Sequence, residues 1–134
     1  MEMMIDFPGG AQVSAQTGPY TIMTDQSPSG GGDGLYPAPF ALFLASLGTC
    51  AGIYVLNFCK QRNLPTDGLR IIQRMHPDPV TGMIGKIDLE IQAPPGFPEK
   101  YLSSLVRSAE LCAVKKHIEK PPVFNVTAEI FETA

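Results

Sequence analysis

Cysteine is the residue type in this sequence best suited to chemistry, and the chain has three: Cys50, Cys59 and Cys112. A thiolate is a nucleophile, and it is oxidised reversibly to a sulfenic acid or a disulfide. Cys50 and Cys59 are nine residues apart in a helical pattern, so about 100° per residue places them on opposite sides of a helix. A redox pair within the chain would therefore join Cys112 to either Cys50 or Cys59. The plain alternative is that each cysteine is a small apolar core residue.

A group of basic side chains follows Cys112, namely Lys115, Lys116, His117 and Lys120. Their charge would favour a thiolate nearby, or would simply complement the last turn of a helix. With no closely spaced Cys/His group, the sequence predicts no metal site and no bound cofactor.

The segment around the first cysteine, Gly48-Thr49-Cys50-Ala51-Gly52, also has the form of a nucleophile elbow with cysteine in place of serine. A hydrolase of that kind needs a base, His76 or His117, oriented by an acid such as Asp78 or Asp88. The usual long alternation of strands and helices is missing, so this alternative is the weaker one.

The element that must position Cys50 is an uncharged stretch, because no charged residue stands between Asp33 and Lys60. Its centre, residues 40–58, is long enough to cross a membrane. Small and polar residues in the middle of this stretch favour instead a buried central helix of a water-soluble domain. A helix that is apolar on all sides needs cover on all sides, which predicts a dimer.

The other elements alternate in a mixed pattern that predicts an α+β fold in a single domain, residues 1–134. Strands are predicted at 3–7, 11–16, 20–25, 69–75, 86–92 and 124–131, and a second helical region at 98–118.

Composition and charge indicate which partners and which cell compartment to expect. The formal net charge is −3 and the ten Lys and Arg residues form no long stripe, so nucleic acid is not an expected partner. The N-terminus has two acids where a signal peptide has basic residues, which predicts a cytoplasmic protein with no membrane partner. Three cysteines in such a compartment are expected to be reduced by default.

Both cysteine neighbourhoods resemble those of the OsmC/Ohr family, and most closely its OsmC-like branch. The first runs from Pro39 to Cys50 and leads into a helix ending Arg62-Asn63-Leu64-Pro65. The second is Ala109-Glu110-Leu111-Cys112-Ala113-Val114, followed by a strand after Pro122.

This resemblance implies an OsmC-like fold, with antiparallel strands around a long buried helix in an intertwined homodimer. It implies a thiol peroxidase of the oxidative stress response that reduces organic hydroperoxides or hydrogen peroxide. Cys50 would attack the peroxide to give a sulfenic acid, Cys112 would resolve it as a disulfide, and a dithiol reductant would restore both thiols. Cys59 matches no family position and is expected to be a packing residue.

The chain departs from the family pattern at the two residues that assist the first cysteine. Peroxidases of the family use an N-terminal arginine and a glutamate shortly before that cysteine, but here no arginine precedes Arg62, and Phe40-Ala41 stands at the glutamate position. Another cation from either subunit could substitute, and the candidates are Arg62, Arg70, Arg74 and Lys115; otherwise an apolar setting raises the pKa of Cys50 and slows its reaction. The alternative is a non-catalytic homodimer that binds a small apolar ligand and has lost these helpers.

Overall fold

The computed structural model describes residues 1–131, which form five strands and three α-helices. In chain order these are β1 (Met4–Gly9), β2 (Gln12–Thr17), β3 (Tyr20–Thr24), α1 (Pro39–Gln61), β4 (Arg70–Pro77), β5 (Ile84–Gln92), α2 (Leu102–Ala109) and α3 (Ala113–Glu119). The chain packs as two compact units, Met1–Thr49 and a second that begins at Cys50. That the whole chain is one domain stays a prediction.

The first unit contains an antiparallel meander in the order β1-β2-β3. Ile5 pairs with Ala15, which in turn pairs with Ile22. The β2–β3 turn places Gly18 at φ 54°, a left-handed conformation that glycine adopts without a steric penalty.

The loop between β3 and α1 is organised by a buried carboxylate, that of Asp25. It accepts hydrogen bonds from the N–H groups of Gln26 at 2.7 Å and Leu35 at 3.1 Å, and these bonds lower the pKa of Asp25. The Asp25 N–H donates to the Pro37 carbonyl at 3.2 Å. One side chain therefore fixes the chain on both sides of residues 27–34, directly before α1 begins.

Helix α1 has the predicted position, and most of its surface is open in the single chain. It is long and apolar enough to cross a membrane, yet only 17% of its most apolar window is buried by the rest of the chain. Phe40, Phe43 and Ile53 are exposed. The other elements of the single chain cover one side of α1 only, and burial of this helix in an intertwined homodimer stays a prediction.

The second unit contains the antiparallel pair β4–β5, which separates polar from apolar side chains as a two-faced sheet should. Ile71 and Ile91 pair with each other and pack against the core. On the other face Arg74 forms an ion pair with Glu90 at 2.7 Å.

The core of the second unit joins the C-terminal half of α1 to α2. Val55, Phe58 and Cys59 from α1 pack with Leu105 from α2, and all four are buried. The Phe58 ring meets Tyr101 edge to face, with ring centroids 5.9 Å apart. This packing holds the segment that follows α2, which carries Cys112.

Two predicted elements differ from the structure. The helix predicted over 98–118 breaks after Ala109 and restarts at Ala113. The strand predicted over 124–131 is absent from the described part of the chain, where residues 121–131 have no regular secondary structure and are exposed. A strand exists only beside a neighbour that completes its hydrogen bonds, and no strand of this chain pairs with that segment in the structure described.

Candidate functional site

Cys50 is half-buried and lies inside α1, eleven residues from the end of the helix. It is therefore not at a strand-to-helix turn, and the nucleophile-elbow interpretation is wrong. The His76 ring donates to Asp88 at 2.8 Å, on the exposed face of the β4–β5 pair. The His117 ring donates to the Ala113 carbonyl at 2.7 Å within its own helix.

The thiol of Cys50 has its pKa lowered from the ordinary value by hydrogen bonds. The largest contribution comes from the Val114 main-chain N–H; partial burial of Cys50 opposes it, and the Cys112 thiol and the Ala113 N–H add to it. All three donors favour the charged form of the sulfur. These donors make the thiolate, which is the nucleophilic form, easier to form at Cys50 than at a free cysteine.

Cys112 lies where the second helical region breaks, and it is the N-cap residue of α3. Its sulfur accepts a hydrogen bond from the Lys115 N–H at 3.4 Å. Only 3% of Cys112 is exposed. Its thiol also lies within hydrogen-bonding distance of Cys50, so the fold brings these two cysteines together and presents the more exposed one to solvent.

Cys59 is fully buried in the core of the second unit, beside Val55, Phe58 and Leu105. Burial raises its pKa, against a smaller opposite effect of the Arg62 charge. A neutral thiol in apolar surroundings is a poor nucleophile. Of the two cysteines that could pair with Cys112, Cys50 is the one in contact with it and the one with the lowered pKa; that the two form a redox pair stays a prediction.

The four cations expected to replace the family's arginine are engaged elsewhere. Arg62 stacks over the Phe58 ring at 3.7 Å from its centroid, and Arg70 donates to Gln92 at 2.7 Å. Arg74 pairs with Glu90, and Lys115 lies 3.9 Å from Glu119.

Sequence reasoning missed Ala113 and Val114 as functional residues because they act through the main chain. An N–H group is present in any residue except proline, so the residue types carry no signal. The only trace in the sequence is the position of Cys112, since helix N-termini leave several N–H groups without partners inside the helix.

Fold and site together define a class: an α+β protein with a cysteine of lowered pKa in contact with a second thiol. A family model described as OsmC-like protein matches residues 30–127. The chain belongs to the OsmC-like family, which is associated with osmotic stress and with redox or peroxide resistance. No curated protein matches the sequence.

Solved structures share the fold at low sequence identity. A protein assigned to the osmotic stress and detoxification response of Psychrobacter arcticus 273-4 has a TM-score of 0.67 at 19% identity, with 85% of each chain covered. A hypothetical protein from Aquifex aeolicus VF5 has a TM-score of 0.68 at 20% identity, over 90% of this chain and 87% of its own. An organic hydroperoxide resistance protein OsmC from Legionella pneumophila has a TM-score of 0.52 at 17% identity, over 88% and 89%.

Proposed function

We propose that this protein is a thiol-dependent peroxidase of the oxidative stress response, which reduces organic hydroperoxides or hydrogen peroxide. Cys50 is the peroxide-reducing residue and Cys112 the resolving residue. The observation that carries the proposal is the set of hydrogen bonds to the Cys50 sulfur, from the Val114 and Ala113 N–H groups and the Cys112 thiol. Membership of the OsmC-like family supports it further.

In the first step the Cys50 thiolate attacks one oxygen of the peroxide. A sulfur–oxygen bond forms, the oxygen–oxygen bond breaks, and the leaving oxygen takes up a proton to give an alcohol, or water from hydrogen peroxide. The sulfur has been oxidised by two electrons and becomes a sulfenic acid.

In the second step the Cys112 sulfur attacks the Cys50 sulfenic acid. A disulfide forms, the hydroxyl group leaves as water, and the Cys112 proton is consumed in that water. A dithiol reductant then exchanges with the disulfide, becomes oxidised itself and returns both cysteines to thiols. Because the Cys112 thiol already contacts Cys50, this resolution needs no long movement of the chain.

Main-chain donors take the place of the missing arginine in this mechanism. Two N–H groups at the start of α3 hold charge on Cys50 without a side-chain cation. Fixed donors of this kind require no rearrangement when the charge develops, which is why they are effective in enzyme sites.

The proposal is tested by peroxide consumption with cumene hydroperoxide and dithiothreitol. The wild-type protein and Cys59→Ala should turn over, because Cys59 lies outside the site, whereas Cys50→Ser should be inactive. Cys112→Ser, given one equivalent of peroxide in the absence of dithiothreitol, should retain a sulfenic acid, seen as a mass gain of about 16 units. Equal consumption by wild type and Cys50→Ser would refute the mechanism. Slow wild-type turnover with all thiols still free would support the ligand-binding alternative.

The same proposal includes a cytoplasmic homodimer. The reason for proposing a homodimer is the apolar surface of α1, most of which is exposed to solvent in the single chain. A second copy supplies an equally apolar surface, and isologous contacts between identical faces are the commonest way to cover one.

A further inference from the structure

Helix α3 is too short to be stable by itself. It has seven residues, Ala113–Glu119, and none of them is buried. Helices of this length are marginal in water, because a single turn costs more conformational entropy than its hydrogen bonds return. The helix must therefore depend on what holds its ends.

The N-terminal end of α3 is held by the two sulfur atoms. The Cys112 sulfur accepts the Lys115 N–H at 3.4 Å, which is the N-cap bond. The first turn contains no acidic residue, so no carboxylate complements the helix dipole there. The Cys50 sulfur also accepts hydrogen bonds from the N–H groups of Val114 and Ala113, and negative charge on it complements the helix dipole.

We propose that the Cys50–Cys112 disulfide removes both of these supports, so that oxidation of the pair frays α3. The inference rests on the proposed function only in using the same pair of cysteines. The two thiols lose two protons and two electrons to the oxidant as the sulfur–sulfur bond forms. The bond leaves Cys50 with no ionisable thiol at the helix terminus, and its fixed geometry directs the Cys112 sulfur toward Cys50 instead of the Lys115 N–H.

Fraying has a use in the reaction cycle. The Cys112 sulfur is almost completely covered in the reduced protein, and a dithiol reductant must reach one of the two disulfide sulfurs. When α3 frays, its main chain no longer covers the site, and a reductant gains access. On reduction the helix reforms over the pair, and this stabilisation of the reduced state also favours reduction of the disulfide.

Amide hydrogen exchange read by mass spectrometry tests the inference in the Cys59→Ala background, where Cys50 and Cys112 form the only intramolecular disulfide available. The protein is compared reduced and after diamide oxidation, with the loss of two mass units confirmed first. We expect the peptide covering 113–120 to exchange about fivefold faster or more after oxidation, as loss of an N-cap implies. The peptide covering α2 should be unchanged. Equal exchange of 113–120 in both states, or no disulfide with diamide, would overturn the inference.

Two variants isolate the cap from the rest of the pair. In the reduced state Cys112→Ser keeps an N-cap acceptor and should leave α3 protected, whereas Cys112→Ala removes it and should speed exchange. If the 113–120 peptide exchanges equally fast in the two variants, the Cys112 side chain does not stabilise α3 as its N-cap. The disulfide is formed with diamide, so this comparison can be made even if the protein does not turn over peroxide. Normal peroxide turnover with unchanged hydrogen exchange would refute the fraying of α3 and leave the proposed function standing.

Discussion

At the scale of single residues, the site works through atoms that substitution of side chains does not remove. The Val114 and Ala113 donors belong to the main chain, and the third donor, the Cys112 thiol, is itself a member of the pair. The family's arginine performs the same electrostatic task with a full charge on a long side chain. A fixed N–H donor costs less conformational entropy to position, but it supplies a partial charge only.

Replacing Val114 with proline should weaken the Cys50 thiolate, because it deletes the largest contribution to the lowered pKa. Proline is tolerated in the first turn of a helix, so α3 can still form. We expect the pH midpoint of Cys50 alkylation by iodoacetamide to rise toward the value of a free cysteine, and the rate at pH 7 to fall several-fold. Val114→Ala keeps the N–H and serves as the control. A midpoint that is equal in the two variants would contradict the assignment.

The same lowered pKa has a consequence for stability. Since the folded state binds the Cys50 proton less tightly than the unfolded state, the thiolate stabilises the fold fully above the unfolded pKa. This contribution is lost as the pH falls through the folded pKa. In Val114→Pro the pH dependence of unfolding in this alkaline range should become weaker.

At the scale of elements, the sequence predicted those strands and helices whose pattern is local. The alternation of Ile87, Leu89 and Ile91 marked β5, and the prolines before residue 40 marked the start of α1. The break after Ala109 was missed because Leu111 and Val114 continue an apolar pattern through it. The position of this break depends on tertiary contacts, because Cys112 caps the N-terminus of α3 and contacts Cys50.

From the residues alone the partner of Cys112 was open between Cys50 and Cys59, and the resemblance to the OsmC/Ohr family pointed to Cys50. Helical spacing excluded Cys50 with Cys59, but the sequence does not fix which face of α1 meets α2. Leu105 settles it by packing against Val55 and Cys59. Cys59 then becomes part of the core, and Cys50 remains at the partly open side.

Leu105 is the residue of α2 on which this arrangement depends, since it is 1% exposed in the core cluster. Leu105→Ala should lower the free energy of unfolding by about 2–5 kcal/mol, through lost burial and the cavity that remains. Leu102→Ala, on the exposed side of the same helix, is the matched control and should cost much less. Denaturant unfolding measures both, and equal losses would mean that α2 is not anchored by Leu105.

The loop before α1 offers a similar test in the first unit. A Cβ atom at Gly32 would overlap the Gln26 carbonyl oxygen and the Asp25 carboxylate. Gly32→Ala should therefore displace the loop and cost about 1–3 kcal/mol in denaturant unfolding. Ser29→Ala, exposed in the same loop, should stay within about 0.5 kcal/mol of wild type. If the two variants unfold alike, the Asp25 carboxylate does not hold this loop closed.

At the scale of the whole molecule, the described residues leave much apolar surface in water. Val123, Phe124, Val126 and Ile130 are each more than 80% exposed, and the last three share the alternating positions of a strand. The open side of α1 adds to this surface. A large contiguous apolar area marks an interaction site in soluble proteins. The alternating apolar side chains of residues 124–130 are typical of a strand, which would need a neighbouring strand to complete its hydrogen bonds.

We therefore expect a homodimer in solution, and a charge placed in the open face of α1 should dissociate it. Ile53 is 48% exposed, so aspartate there is tolerated by the single chain but leaves a charge buried in an interface. Val80→Asp is the control, because Val80 is 91% exposed in the β4–β5 turn, away from α1. Sedimentation equilibrium should give twice the chain mass of 14.4 kDa for wild type and Val80→Asp, and a lower mass for Ile53→Asp. A wild-type protein that sediments at the single-chain mass would refute the dimer, and the apolar surface of α1 would then require a different partner.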